Sequence, residues 1–296
     1  MAFVCLIDVV CILRPMDQSL ELNVFKQQVS AFYDRRSSSY DAAKLPAVIC
    51  QQLYNLASLT SGSTVLDIGT GTGRLAFLAA QSVGQTGRVI GVDISPQMLE
   101  KAREKTQSLK LNNVEFILAD AEHLNFPAQI FDCILCANTF PWMQNKARTL
   151  CLWHKFLKPE GTIVVHSPAN SAYTGICILR RVLFKYGISM ESTNRVGTNK
   201  KISRLFASAG FIKLKIFSEQ HGQYISVESM QNVWDSVVEN PSITSPKILN
   251  KVMLQMTPSQ WREIKAEFFE EISSLNTDKG VWRDLTTLYI LGKKSG

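Results

Sequence analysis

Three acids, Asp67, Asp93 and Asp120, each close a short apolar run, and the first is followed by glycines at every second position, Gly69, Gly71 and Gly73. An ionised carboxylate only accepts hydrogen bonds, so acids placed at strand ends suit a ligand rich in hydroxyl and amino groups. Glycine permits positive φ and lets the backbone approach a ligand that a Cβ would hold away. The spacing is not a nucleotide-phosphate loop, because the Gly-Lys-Ser/Thr ending is missing, and G-x-G-x-G also differs from the dinucleotide fingerprint G-x-G-x-x-G.

Positioning these groups requires strands. Thr64 to Ile68 reads as a buried strand and Leu75 to Ala80 behind the glycines has helical spacing. Val89 to Asp93 repeats the strand, with Asp93 26 residues after Asp67, so one right-handed crossover would set the two side by side in a parallel sheet. Ser95 and Pro96 mark the next helix start. Val114 to Asp120, Phe131 to Ala137 and Gly161 to His166 supply three more strands, with Asn138 closing the fourth. In such a sheet ligands sit at the carboxyl ends of the strands. Asp93 would there accept from a ribose hydroxyl pair, and Asp120 from an exocyclic amine.

The ordered series VLDIGTGTG, VIGVDISPQML, VEFILADAEHLNFP, FDCILCANTFPWM and FLKPEGTIVVHSP resembles the class I S-adenosylmethionine-dependent methyltransferases. Within them it is most similar to the small-molecule branch of the ubiquinone and menaquinone biosynthesis enzymes (methyltransferase type 11). The likeness runs from about Phe32 to Phe217. It implies a Rossmann-like α/β fold: seven mostly parallel strands, the last antiparallel, with helices on both faces. It implies S-adenosylmethionine as cofactor, with Asp67, Gly69 and Gly71 at its methionine end, Asp93 on the ribose, and Ile94 and Met98 on the adenine. Asp120 and the Ala121 backbone would meet the adenine edge, Asn138 would lie beneath the sulfonium, and Tyr33 or Tyr40 would close a lid over the carboxylate. A base is needed only if the acceptor arrives protonated. Of the histidines at 123, 154, 166 and 221, His166 is the candidate by position, and Phe140, Trp142 and Tyr173 are candidate walls of the acceptor pocket.

Bulk composition narrows the classes. The 296 residues, 46% hydrophobic and 19% charged, describe an ordinary globular chain large enough for a sizeable core. The net charge of +7 comes from scattered pairs such as Arg35-Arg36 and Lys200-Lys201, and without a basic aromatic stripe no nucleic-acid partner is expected. The seven cysteines are an odd number spread through apolar segments, which is not a disulfide framework and points to a reducing, cytoplasmic setting. Cys133 and Cys136 form a CxxC inside a strand run with no second pair, so they read as buried thiols and no metal is expected. The apolar start, residues 1–13, is too short to span a bilayer and lacks signal-peptide features, so no integral membrane segment is expected, and residues 1–15 read as an extension peripheral to the fold or as a lipid- or partner-facing helix.

The expected organisation is an N-terminal extension and helix (1–31), a cofactor-binding core (32–217 and 285–296) and an insertion (218–284). In the core, Ile176 to Tyr186 and the segment from Ile202 to Gly210 read as helices, and Phe211 to Phe217 and Leu285 to Leu291 as strands. About 65 residues separate those strands, and insertions of that length are usually functional; with Trp261 to Leu275 amphipathic, a helical cap over the acceptor is expected, or a dimer surface. The expected activity is methyl transfer to O, N or C of a small, partly apolar metabolite, in secondary metabolism or quinone biosynthesis, by a monomer or homodimer. The alternatives are an RNA methyltransferase and a non-catalytic cofactor-binding scaffold.

Overall fold

A computed structural model of the chain describes residues 21–188, 196–239 and 256–296. The extension 1–15 with its apolar run, the polar stretch at 191–194 and the prolines at 241 and 246 lie outside the described residues. The elements in order are α1 (Val24–Asp34), α2 (Lys44–Ala57), β1 (Thr64–Ile68), α3 (Arg74–Val83), β2 (Arg88–Asp93), α4 (Pro96–Leu109), β3 (Val114–Leu118), β4 (Phe131–Cys136), α5 (Lys146–Phe156), β5 (Leu157–Pro168), α6 (Thr174–Lys185), α7 (Asn199–Ser208), β6 (Phe211–Glu219), β7 (Gln223–Ile225), α8 (Val227–Gln231), α9 (Pro258–Ser274), β8 (Val281–Arg283) and β9 (Thr287–Lys294).

Seven strands form one sheet in the order β3-β2-β1-β4-β5-β9-β6. The pairs from β3 to β5 are parallel, and β9 runs antiparallel between β5 and β6. Strands covered on both faces need apolar side chains on both, hence the continuous apolar runs in the sequence. Leu66, Ile68, Ile134 and Val165 face α5 and α7 through Leu150, Trp153, Ile202 and Phe206. The alternate positions Val65, Leu135 and Val164 face α2, α3 and α4 through Leu53, Ala76 and Leu99. The fold thus matches the expected class.

Boundaries moved where backbone pairing outruns side-chain pattern. The sixth strand continues to Glu219 rather than Phe217, because Glu219 pairs with Thr287, and the last strand is Thr287–Lys294 rather than Leu285 to Leu291. The insertion is not purely helical: β7 and β8 form their own antiparallel pair. Its helix α9 is amphipathic as expected, and its buried Ile264, Phe268 and Ile272 build a third apolar cluster with Trp234 and with Ile178, Leu179 and Val182 of α6. No helix among the described residues is long and apolar enough to cross a membrane. Cys133 and Cys136 are buried in β4, and burial pushes the Cys133 thiol up to about 12.

Candidate functional site

The glycine turn is built by contacts that exclude side chains. Gly69 and Thr70 donate their amides to the Val92 carbonyl at 2.8 and 3.0 Å, pinning the turn to β2. A Cβ on Gly69 would lie 1.9 Å from Thr139 Oγ1, so the β4 loop takes the space glycine vacates. Gly71, at φ +55°, meets nothing closer than the Tyr40 ring at 3.9 Å. Its missing side chain leaves a cradle facing a cavity.

That cavity holds about 580 Å³ of space, its open mouth included, and is lined by Tyr33, Tyr40, Gly69, Gly71, Asp93, Ile94, Met98, Asp120, Ala121, Asn138 and Trp142, among others. Asp93 accepts from the Gly71 amide through Oδ2 at 2.8 Å and from the Ser95 amide through Oδ1 at 2.9 Å. Two of about four lone-pair positions are thus used, and the rest remain for donors in the cavity. Burial raises its carboxyl to about 6. Asn138 holds a left-handed φ of 56° at the end of β4, a conformation Asn tolerates better than most residues and one that recurs at functional sites.

Most of the sequence-expected residues meet here, but four do not line the cavity. Asp67 is 1% exposed and sits behind the turn, accepting from Thr70 Oγ1 at 2.7 Å; burial raises its carboxyl to about 7. Phe140 is fully buried, its ring against Trp153 and Phe206. The one-turn helix Phe140–Trp142 points its first residue into the core while Trp142 reaches the cavity. Tyr173 is 46% exposed at the start of α6. His166 is wholly buried on β5, and burial, with His221 nearby, lowers its imidazole to about 3. A fully enclosed imidazole so hard to protonate does not suit the expected base.

Composition and pattern missed what lies across the cavity. Lys26 of α1 is 2% exposed and lines it. Its Nζ donates to Asp120 Oδ1 at 3.1 Å and lies 2.8 Å from Glu122 Oε2. One turn on, Ser30 Oγ donates to the Ile94 carbonyl at 2.9 Å, and another turn on, Asp34 Oδ1 accepts from Ser95 Oγ at 2.6 Å and the Gln97 amide at 3.2 Å. The 26, 30, 34 spacing is one face of a helix, and it docks α1 over the loops after β2 and β3. The spacing was visible in sequence, but a polar stripe on a helix ordinarily faces water. Tyr33 and Tyr40, with rings 6.2 Å apart, carry the lid toward the glycine turn, where Asp41 accepts from Thr72 Oγ1 at 2.7 Å. Burial raises both phenols, Tyr40 to about 12.

Comparison with known proteins adds to this geometry. The family described as "Methyltransferase domain" matches residues 59–210. Over 152 residues the chain is 33% identical to the aklanonic acid methyltransferase DauC of Streptomyces sp. (strain C5), covering 51% of this chain and 69% of that protein. Over 105 residues it is 40% identical to the ubiquinone/menaquinone biosynthesis C-methyltransferase UbiE of Enterobacter sp. (strain 638), a match that takes in 35% of this chain and 42% of that relative. The YcgJ protein of Bacillus subtilis superposes with a TM-score of 0.55 at 18% identity, over 83% of this chain and 98% of that one. The phosphoethanolamine N-methyltransferase 2 of Haemonchus contortus, in complex with phosphomonomethylethanolamine and S-adenosylhomocysteine, gives 0.57 at 15% identity over 93% and 61%. At such identities these structures speak for the fold.

Proposed function

The chain belongs to the methyltransferase-domain family, and from that premise we propose that it transfers a methyl group from S-adenosylmethionine to O, N or C of a small, partly apolar metabolite. The observation that carries this reading is Asp93, which keeps lone pairs turned toward a glycine-walled cavity after satisfying two backbone amides. A ribose hydroxyl pair matches those acceptors, and the apolar Ile94 and Met98 beside them match an adenine ring. Gly69 and Gly71 give the methionine end backbone contact, with Asp67 setting the turn from behind. Asp120 and the Ala121 backbone would meet the adenine edge, Asn138 would lie beneath the sulfonium, and Tyr33, Tyr40 and Trp142, which line the same cavity, would exclude water from it.

When bound, the cofactor supplies an electrophilic methyl group on its sulfonium. The chain's part is orientation: collinear placement of nucleophile, methyl and sulfur supplies rate through effective molarity. The finer reading is that residues 218–284 cap the acceptor side and select the acceptor, in a cytoplasmic protein without a nucleic-acid partner. Quinone or natural-product biosynthesis is the setting favoured by the named activities of DauC and UbiE.

Calorimetric titration with S-adenosylmethionine and S-adenosylhomocysteine tests the cofactor. Asp93→Ala is expected to weaken both at least about tenfold, the loss of one good charge-assisted contact; unchanged affinity rejects the ribose assignment. Methyl-labelled cofactor incubated with extract of the source cell tests the acceptor. Label confined to RNA would overturn the small-molecule reading.

A further inference from the structure

Buried polar side chains are normally hydrogen-bonded, because an unpaired one forfeits its hydration without compensation. Among the described residues, the buried side-chain nitrogens and oxygens that lack a partner belong, with the exception of His154 Nε2, to six residues: His166, Asn170, Glu219, His221, Arg283 and Tyr289. These gather where β5 and β6 end, β9 begins and β8 of the insertion lies. His166 pairs across the sheet with Tyr289, and Thr287 with both Pro168 and Glu219. The His166 and Tyr289 rings lie 5.4 Å apart, and His221 Nε2 is 3.5 Å from Glu219 Oε2. His166 and Tyr289 are 0% and 1% exposed, yet both ring nitrogens of His166 make no hydrogen bond, and the Tyr289 hydroxyl stands near Thr287 and Glu219.

The position of this cluster relative to the cavity follows from strand register. Ile68 pairs with Cys136 and Cys136 with Val165, so Gly69, Ala137 and His166 stand level on three successive strands. At about 4.8 Å per strand, His166 is one strand from Ala137, which lines the cavity, and two from Gly69. Val164 and Tyr289 face the α2 side of the sheet, and His166, two residues from Val164, shares that side. Cys50 of α2 raises both Tyr40, in the cavity wall, and Tyr289.

We propose that the His166–Tyr289–Glu219–His221 cluster is a binding subsite for the acceptor, holding a neutral hydroxyl or keto oxygen carried on an apolar ring, one strand away from the methyl-donor cavity. This rests on the methyltransferase reading above. The chemical class follows from the groups. His166 stays uncharged and Tyr289 stays protonated at neutral pH, since burial holds the imidazole at about 3 and the phenol at about 12. Together they offer both donors and acceptors. None of the four is a lysine or arginine and Glu219 stands alongside, which favours a neutral oxygen over a carboxylate; the charge of Arg283, at the edge of the same gathering, acts on Tyr173. The surrounding α2 side chains, Ile49 and Leu53, are apolar.

The test uses the full-length protein saturated with S-adenosylhomocysteine, with phenol as probe and the ring ¹⁵N signals of His166 as readout. Phenol is expected to shift those signals, and Tyr289→Phe, which keeps the ring, to weaken phenol at least tenfold while leaving S-adenosylhomocysteine affinity within twofold. Anisole and benzoate are expected to bind at least tenfold more weakly than phenol. Signals indifferent to phenol would mean that buried water alone satisfies the cluster, and the proposal falls. Equal response to anisole or stronger binding of benzoate overturns the ligand class. Failure of S-adenosylhomocysteine itself to bind, seen separately by calorimetry, removes the cofactor reading and the subsite with it.

Discussion

Asp67 is the acid most exposed to a pH argument because its environment works against its charge. Burial raises its carboxyl to about 7 from the ordinary 3.8, and nearby Asp93 adds to the effect against the opposing bond from Thr70. Between those two values the folded chain keeps a proton that the unfolded chain has released, so raising pH across that window favours unfolding. Buried His166, lowered to about 3, acts in the opposite sense as pH falls below its ordinary value of 6.5. The informative quantity is therefore the difference between wild type and Asp67→Asn, in which the His166 contribution cancels. Asn still accepts from Thr70 but does not titrate. The variant is expected to gain stability relative to wild type from pH 4 to 7, by as much as a few kcal/mol, as read by urea unfolding of the ligand-free protein. A constant difference across that range would show that Asp67 titrates normally. An acid ending a strand run was legible in sequence, whereas its placement behind the turn rather than in the cavity was not, because burial depends on what α2 and α3 cover.

At the scale of elements, α1 acts as a latch. Three polar contacts one turn apart fix it, and the deepest, Lys26 with Asp120 and Glu122, is almost wholly buried. Asp34 at the carboxyl end of α1 is poorly placed for its own helix dipole, but its oxygen meets the first turn of α4, where a negative charge is favoured. Breaking a buried ion pair from one side costs about 3–5 kcal/mol, since the remaining charge is stranded. Lys26→Met is accordingly expected to release α1: its amide hydrogen exchange should rise at least tenfold while β1 and β4 keep their protection, and S-adenosylhomocysteine should bind more weakly. Protection of α1 at the wild-type level would show that the ion pair does not hold the lid. Sequence marked Tyr33 and Tyr40 for this lid, and both line the cavity. Lys26 escaped because its partners are about 95 positions away, a distance that only the tertiary fold closes.

At the scale of the whole molecule, three apolar clusters among the described residues divide the work. Two lie on the faces of the sheet, and the third joins α6 to the insertion around Phe268, Trp234 and Ile178. The insertion therefore has its own core, anchored to the sheet by α6 and by the turn through Thr174, whose Oγ1 donates to the Trp282 carbonyl at 2.9 Å. Phe268→Ala removes a fully buried ring, at a cost of about 3–5 kcal/mol. The loss is expected to appear as faster hydrogen exchange in α6, α8 and α9, with the sheet amides and cofactor affinity little changed. Uniform acceleration through the sheet would instead make insertion and sheet one cooperative unit.

The sequence by itself determined the strands of the sheet, the side-by-side placing of the first two across the glycine turn, and the acids at their carboxyl ends. These follow from local rules: apolar runs for doubly covered strands, glycine where the backbone needs positive φ or close approach, and polar side chains where strands end. Only the tertiary structure decided which of those side chains reach a common space. It sent Phe140 into the core and Trp142 to the cavity, enclosed His166 with Tyr289, and brought Lys26 across to Asp120. Burial and pairing between distant segments are properties of the packed chain, and no local spacing encodes them.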